Sequence, residues 1–92
     1  MKANKNMMAQ WAAEFKKAEI TWHARERYNE DAAPGSLTIE EMVKIARFAF
    51  ASEGAVRFRT GSWHFVYLPR EGKIVTCMHR NADRRADYSK AL

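Results

Sequence analysis

The alternation of apolar and polar residues after Gly54 constrains the fold of this chain more than any other feature of the sequence. Two alternating stretches, "AVRFRT" and "WHFVYL", flank the pair Gly61-Ser62. A period of two predicts strands, and a glycine at the first central position suits a two-residue type II′ hairpin. The turn "PREG" then leads into a third stretch, "KIVTCMHR". The sequence therefore predicts a three-stranded antiparallel meander.

The hairpin turn also predicts which side chains share a face of this sheet. With a two-residue turn, Phe58 lies opposite Phe65. The second turn can have two or four residues, because a shift of two leaves every side chain on the same face. The face predicted to pack on helices holds Val56, Phe58, Trp63, Phe65, Tyr67, Ile74, Thr76 and Met78. The opposite, cationic face holds Arg57, Arg59, His64, Val66, Val75, Cys77 and His79.

Two helices are predicted in the first third of the chain. Apolar residues at three-and-four spacing predict a first helix within residues 4–18, with Asn4 or Asn6 as its N-cap. A very short extended segment then ends at Thr21, which is placed to cap a second helix over residues 22–29. The stretch "DAAPGS" that follows is predicted as a loop.

A third helix carries both a start signal and a stop signal. Thr38 and Glu41 form a T-x-x-E capping box, and an apolar stripe continues from Ile39 to Phe50. Gly54 stands where a helix-terminating glycine is expected. The helices and the meander together predict an α+β fold, in which N-terminal helices pack on a three- or four-stranded antiparallel sheet.

The composition of the chain limits its class. A length of 92 residues suits one domain with a modest core. The formal net charge of +5 favours a polyanionic partner, with nucleic acid ahead of an anionic membrane or an acidic protein. The single cysteine, Cys77, excludes an intramolecular disulfide and a cysteine-based metal cluster. The longest apolar run, residues 48–51, is far too short to cross a bilayer, so we expect a soluble, cytoplasmic protein with no membrane partner.

The residue types favour a reaction that uses neither a metal nor another cofactor. His23, His64 and His79 show none of the spacings of a metal site. Cleavage of RNA without a metal is compatible with the sequence, because the substrate's own 2′-hydroxyl is the nucleophile and the protein supplies a base, an acid and cations. His23, in a first helical turn whose dipole favours neutral imidazole, is a candidate base. Arg27, one turn later, is a candidate for holding the scissile phosphate.

These residues also have simpler interpretations. In the simpler interpretation, the only role of His23 is a hydrogen bond at the start of its helix. Arg27 pairs with Glu30 or Asp31 in an exposed ion pair worth about 0.3–0.5 kcal/mol. The basic residues of the strands form a solvated sheet face, and Cys77 in mid-strand is a small buried hydrophobe rather than a nucleophile. Sequence alone leaves both sets of interpretations open.

Three short motifs, "HARER", "LTIEEMVKIA" and "GKIVTCMH", occur in an order that resembles a family of small bacterial and phage proteins. The family pattern is Ser/Thr-x-His-Ala-x-x-Arg on a helix, Ile-Ser/Thr-x-Glu-Glu-Val opening the next helix, and Gly-Lys-hydrophobic-Val-Thr in a late strand. That family resembles the RelE-like toxins and the wider barnase–EndoU–colicin–RelE ribonuclease superfamily. The resemblance covers residues 20–79 and implies a metal-independent ribonuclease with a RelE/barnase-like fold. The pattern falls on Thr21, His23, Arg27 and Thr76.

The chain departs from the family pattern in two places. Tyr28 is followed by Asn-Glu and a longer loop, where the family continues through Arg-Gly to the next helix. The helix within residues 4–18 lies outside the family core of residues 20–80 and is a candidate contact for a neutralising antitoxin or a host protein. We expect one domain over residues 1–92, with residues 81–92 as a polar tail.

The leading hypothesis is a toxin-type, metal-independent endoribonuclease that acts on RNA through a basic sheet surface. Its predicted catalytic residues are His23, Arg27, Thr76 and His79. Its predicted nucleic-acid-binding residues are Arg57, Arg59, His64, Lys73 and Arg80. The alternative is a non-catalytic module of the same fold that binds a protein or nucleic acid, such as a phage-type inhibitor of a host protein. A non-specific nucleic-acid binder is a third hypothesis.

Overall fold

The computed structural model describes residues 4–79, which form an α+β fold with three helices and one five-stranded mixed sheet. In chain order the elements are α1 (Lys5–Lys17), β1 (Glu19–Ile20), α2 (Trp22–Asp31), α3 (Ile39–Ile45), β2 (Arg47–Ser52), β3 (Ala55–Thr60), β4 (Trp63–Leu68) and β5 (Lys73–His79). Arg80 and the predicted tail, residues 81–92, lie outside the described residues.

Each helix starts at a polar N-cap whose side chain accepts a backbone N–H, as the sequence predicts. At the start of α1, the Asn4 side chain accepts from the N–H of Met7 at 2.8 Å. At α3, Thr38 and Glu41 form the predicted capping box. α2 begins after Thr21 as predicted and runs two residues beyond its predicted end. Local side-chain chemistry therefore determines where each helix begins.

The third helix is shorter than the sequence predicts, and the prediction is wrong after Ile45. Ala46 is extended, with φ −66° and ψ 144°, and the next six residues form β2 instead of continuing the helix. Glu53 and Gly54 both adopt positive φ angles, 53° and 80°, as a two-residue type I′ hairpin turn requires. Gly54 therefore closes a β-hairpin rather than ending a helix.

The strands form one sheet in the order β1-β5-β4-β3-β2. β1 is parallel to β5, and the other neighbours are antiparallel. The predicted sheet of three or four antiparallel strands is thus corrected to a mixed sheet of five, because β2 adds an edge strand and β1 pairs with the start of β5. The predicted register of the β3–β4 hairpin is confirmed, with Phe58 opposite Phe65.

One residue of β2 has no partner in β3. Phe48 pairs with Phe58, but Phe50 pairs with Arg57, so that Ala49 is an extra residue. This is a β-bulge, which interrupts the alternation of side chains along the bulged strand. As a result, Phe48 and Phe50 point to opposite faces of the sheet, although residues two apart in a regular strand share a face.

A second bulge lies in β5. Thr76 pairs with Val66, but Ile74 pairs with Tyr67, so that Val75 is the extra residue. Ile74 keeps the face predicted for it, whereas the residues beyond Val75 are on the opposite face from the one predicted. A regular β5 was predicted, so the faces predicted for the residues after Val75 are wrong.

The bulge in β5 reverses part of the predicted face assignment. Cys77 lies opposite Phe65 and His79 opposite Trp63, both on the face toward the helices, so their assignment to the cationic face is wrong. Thr76 and Met78 lie on the other face, so their assignment to the aromatic face is also wrong.

The three helices pack on one face of the sheet, which we call the helix face. Its core consists of Phe15, Ala24, Tyr28, Ile39, Val43, Ala46, Val56, Phe58, Trp63, Phe65, Tyr67, Ile74 and Cys77. The other face, which we call the open face, has no helix of residues 4–79 packed on it.

Phe15 of α1 lies in the middle of this core. Its side chain is fully buried and stacks on Phe58 with ring centroids 3.9 Å apart. It also meets Phe65 and Tyr67 edge-on. The hydroxyl of Tyr67 donates a hydrogen bond back to Glu14 of the same helix at 3.0 Å. The helix that was predicted as an extension of the core is therefore packed into it.

Thr21 joins β1, α2 and β5 at one point. Its backbone N–H donates to the carbonyl of Ile74 at 3.1 Å. Its hydroxyl donates a hydrogen bond that is shared between two carbonyl oxygens, that of Ile74 at 3.0 Å and that of Val75 at 3.2 Å. The same hydroxyl oxygen accepts the N–H of Ala24 at 3.2 Å as the N-cap of α2. The bulge places two successive carbonyls within reach of one side chain, where a regular strand would direct them to opposite edges.

Replacement of this hydroxyl tests how much the junction contributes to stability. Thr21→Val keeps the branched shape, but removes both the helix cap and the donor to β5. We expect it to lower the free energy of unfolding by about 2 kcal/mol, because a lost cap costs about 1 kcal/mol and the lost hydrogen bond to β5 costs about 1 kcal/mol more. The carbonyl of Ile74 keeps the backbone N–H of Thr21 as a donor. Urea denaturation followed by far-UV circular dichroism measures this loss.

Thr38→Val is the matched control for this experiment. Thr38 is exposed and caps α3 without bonding to another element. Its replacement should therefore cost about 1 kcal/mol, the value of a cap alone. Equal losses in the two variants would show that Thr21 acts only as a helix cap.

Candidate nucleic-acid interface

Two rows of side chains cross the open face from β2 to β5. The first row contains Arg47, Arg59, His64 and Met78, each paired with the next. The second row contains Phe50, Arg57, Val66 and Thr76 in the same strand order. Lys73 lies on the same face at the start of β5, opposite Leu68. Three arginines, one histidine and one lysine are thus gathered on a face without a described helix on it.

The basic side chains of the open face are not neutralised by acidic residues of the described chain. None of the five forms an ion pair within residues 4–79; the ion pair found there joins Arg25 of α2 to Glu40 of α3. Glu19 of β1 is paired with Lys73 in the register and stands at the margin of the face. The open face therefore presents an excess of positive charge.

Arg47 and Arg59 occupy directly opposite positions in the β2–β3 pair. Like charges at such positions destabilise a sheet. Both side chains are exposed, and together they line a cleft of about 600 Å³ with Thr60 and Gly61. An anion bound between the two guanidinium groups would relieve their repulsion.

The predicted nucleic-acid-binding residues lie together on this surface. Arg57, Arg59, His64 and Lys73 are all on the open face, and Arg80 lies outside the described residues. Their role in binding stays a prediction.

Sequence reasoning missed Arg47 and Phe50, because it assigned both to a long third helix. The available signal was the pair Glu53-Gly54, which suits a hairpin turn between two strands as well as it suits a helix end.

The predicted catalytic residues do not share one face of the sheet. Thr76 is on the open face, whereas His79 is on the helix face beside Trp63, with ring centroids 5.1 Å apart. His23 is exposed in the first turn of α2, and Arg27 is half-buried one turn later. Thr76 and His79 are three residues apart and were already predicted on opposite faces; the bulge at Val75 keeps them apart but exchanges the face that each occupies.

Two residues of the Ser/Thr-x-His-Ala-x-x-Arg pattern, Thr21 and Ala24, have structural roles, and the other two, His23 and Arg27, do not. Thr21 caps α2 and bonds to β5. Ala24 is fully buried, and its carbonyl accepts a hydrogen bond from the thiol of Cys77 at 3.3 Å. The side chains of His23 and Arg27 form no hydrogen bond or ion pair with any of residues 4–79, so the ion pair of Arg27 with Glu30 or Asp31 is absent there.

Cys77 is a buried core residue rather than a nucleophile. Its side chain is 0% exposed. Burial raises the pKa of the thiol from 9.0 to about 12; the charge of Arg27 opposes this shift and that of Asp31 adds to it. A thiol that stays protonated at neutral pH is a poor nucleophile.

The described part of the chain contains no group of three His, Cys, Asp or Glu side chains placed to hold a metal ion. No helix between residues 4 and 79 is long and apolar enough to span a membrane.

No protein-family model matches the sequence, and no curated protein or solved structure matches it either. The resemblance to RelE-like proteins therefore rests on the short motifs alone.

A pH dependence of stability follows from the buried thiol. Because folding raises the pKa of Cys77 from 9.0 to about 12, burial of the neutral thiol stabilises the folded chain fully below pH 9, and this contribution is lost as the pH rises toward 12. Above pH 9, we expect the urea midpoint of the wild type to fall more steeply than that of Cys77→Ala, which has no thiol to ionise.

Urea titrations under reducing conditions measure both midpoints. Tyr67, whose pKa burial likewise raises to about 12, is common to both proteins and does not contribute to the difference between them. Parallel curves would contradict the buried, neutral thiol.

Proposed function

We propose that this protein binds RNA through its open face. The observation that carries the proposal is the pair of cross-strand rows, which brings Arg47, Arg57 and Arg59 together with His64 on a face that no described helix covers. Guanidinium groups without acidic partners attract a polyanion, and their forked N–H donors suit phosphate oxygens. The net charge of +5 acts in the same direction.

The spacing of the basic residues supports contact with several phosphates at once. Neighbouring strands are about 4.8 Å apart, so the first row spans roughly 10 Å from β2 to β4. Along β3, Arg57 and Arg59 are two residues apart, which is roughly 7 Å in a strand. Positive groups therefore repeat both along and across the strands, so that several phosphates of one RNA can contact them at once.

Metal-independent cleavage of RNA is a second candidate function, favoured by the placement of His23 and Arg27. Thr21 and Ala24 hold α2 on β5, whereas the side chains of His23 and Arg27 have no hydrogen-bond or ion-pair partner within residues 4–79. The packing of helices on one face of a sheet supports a RelE/barnase-like relation, which the motifs imply, although the sheet has five strands here.

The chemistry of such a cleavage assigns a role to each group. The imidazole of His23 would take the proton from the 2′-hydroxyl as its oxygen attacks the phosphorus. The 5′-oxygen would leave with a proton from a general acid, for which His79 is the candidate because it shares the helix face with α2, whereas His64 lies on the open face. Arg27 would stabilise the charge on the phosphate. The products would carry a 2′,3′-cyclic phosphate and a 5′-hydroxyl.

The binding proposal predicts a specific salt dependence. We expect the double variant Arg57→Gln/Arg59→Gln to reduce the slope of log affinity against log salt by about 1.4, because each phosphate contact on a single strand contributes about 0.7. Fluorescence anisotropy of a labelled RNA, measured over a range of salt concentrations, gives this slope. Riboses with 2′-O-methyl groups prevent cleavage during the measurement.

The matched control is Lys16→Gln/Lys17→Gln, which removes the same charge from the exposed last turn of α1. We expect it to leave the slope nearly unchanged, because α1 lies on the other side of the sheet. Equal slopes in the two double variants would mean that net charge, rather than the open face, is responsible for binding.

The cleavage proposal predicts activity in the presence of EDTA. Total RNA and purified tRNA should yield fragments with 2′,3′-cyclic phosphate ends, and His23→Asn should reduce the rate by about 100-fold or more, as expected for a lost general base. Gel analysis with end-group determination measures both. Asn29→Ala, a change at another exposed position of α2, is the control.

Fragments that persist in His23→Asn would move the chemistry to His64 or His79. The absence of cleavage by the wild type would reject the enzyme and favour the non-catalytic alternative, with RNA binding or a protein contact through α1 as its activity.

A further inference from the structure

Phe50 is an unusual residue in the open face. The exposed large apolar side chains of residues 4–79 are Trp22, Leu37, Ile45 and Phe50. Of these four, Phe50 is the one that stands within the basic rows, paired with Arg57. Its side chain is 49% exposed, although burial of an aromatic ring is favourable. A half-exposed ring among cations without acidic partners suits a ligand that has both a flat aromatic group and negative charge.

The bulge at Ala49 directs Phe50 to this face. Without it, Phe50 would share the helix face with Phe48, whose ring lies 6.1 Å from the rings of Trp11 and Phe58. β-Bulges are common beside functional sites, where they redirect a side chain. The strand therefore contributes one phenyl ring to the core and a second to the open face.

Arg57 holds its guanidinium group over the exposed ring. The guanidinium carbon lies 5.6 Å from the ring centroid of Phe50, within the range of a cation–π interaction. Half of Phe50 remains exposed with Arg57 in this position. A flat π surface and a phosphate-binding group are therefore adjacent on neighbouring strands.

We propose that the open face selects single-stranded RNA, with one base stacked on Phe50 and the adjoining phosphates held by Arg57 and Arg59. This inference rests on the proposed RNA binding and adds the class of RNA. Bases in a duplex stack on one another, so their faces are not available to a side chain on a sheet. Unpaired bases do stack on aromatic rings, while cations follow the backbone.

Stacking also predicts the kind of specificity. Every base has a π face, and stacking on an aromatic ring accepts all of them. The open face offers guanidinium groups for the backbone and one ring for a base, so it should bind single strands of many sequences. We expect preference for single-stranded over double-stranded RNA to be stronger than preference among sequences.

The test compares variants that differ in the ring alone. Phe50→Leu removes the π surface and keeps an apolar side chain, whereas Phe50→Tyr keeps the ring. Leu37→Ala is the matched control, since Leu37 is 46% exposed and lines a different cleft, between α2 and the start of α3. Urea midpoints establish that each variant is folded.

Anisotropy with a 2′-O-methylated single strand and with its duplex gives the affinities. We expect Phe50→Leu to weaken binding of the single strand by roughly fivefold to a hundredfold, the range for loss of one stacked base. Phe50→Tyr and Leu37→Ala should bind like the wild type. The duplex should bind more weakly to the wild type and be insensitive to Phe50→Leu.

A second readout reports stacking directly. A 2-aminopurine in an oligouridine strand loses fluorescence when it stacks on a ring, so the wild type and Phe50→Tyr should quench it and Phe50→Leu should not. Equal binding of the single strand by the wild type and Phe50→Leu, or tighter binding of the duplex, would overturn the inference and leave RNA binding intact. No binding of either RNA would overturn the proposed function itself.

Discussion

The hydroxyl of Thr21 holds the end of β1, the start of α2 and the bulge of β5 together. Its bonds span 53 and 54 residues of sequence, and they reinforce the backbone N–H of Thr21, which also donates to the carbonyl of Ile74. Beyond this point β5 turns Cys77 toward the helices, where its thiol donates to the carbonyl of Ala24. α2 is thereby attached to β5 at two places, and the position of His23 and Arg27 follows from that attachment.

The two faces of the sheet differ in what they contribute, since one packs the core and the other carries charge. Aromatic rings on the helix face stack around Phe15 and supply the stability of the fold. The open face carries basic side chains that contribute repulsion rather than packing, as the opposed pair Arg47 and Arg59 illustrates. Charge on the open face can therefore change with little effect on the core. A polyanion that binds the arranged cations of the open face more tightly than it binds the unfolded chain would also stabilise the folded state.

The sequence predicted those features of the fold that depend on residues close together in the chain. The N-caps of α2 and α3 and the register of the β3–β4 hairpin depend on residues a few positions apart, and they were predicted correctly. For α1 the sequence offered Asn4 and Asn6, of which Asn4 is the cap. Helical spacing between Ile39 and Phe50 was equally compatible with a short helix and a strand. The turn at Glu53-Gly54 pairs the residues after Ala46 with β3, and these residues therefore form a strand. The long helix was wrong for this reason.

The faces of the candidate site residues were predicted correctly only where the strand register was predicted correctly. Arg57, Arg59 and His64 were assigned to one face because a two-residue turn fixes their positions. The assignment failed for Thr76 and His79, because the bulge between Ile74 and Thr76 belongs to a contact with Thr21, far away in sequence. No pattern within β5 itself encodes that contact.

The two bulges also have an evolutionary consequence. Because Ala49 and Val75 have no partner across the ladder, loss of either one would leave every other residue of its strand on its present face. Loss of a residue elsewhere in the strand, with the bulge kept, would exchange core and surface side chains over part of the strand. Loss of Val75 would also remove one of the two carbonyls that the Thr21 hydroxyl reaches, so among related sequences we expect a gap at Ala49 to be tolerated more readily than a gap at Val75.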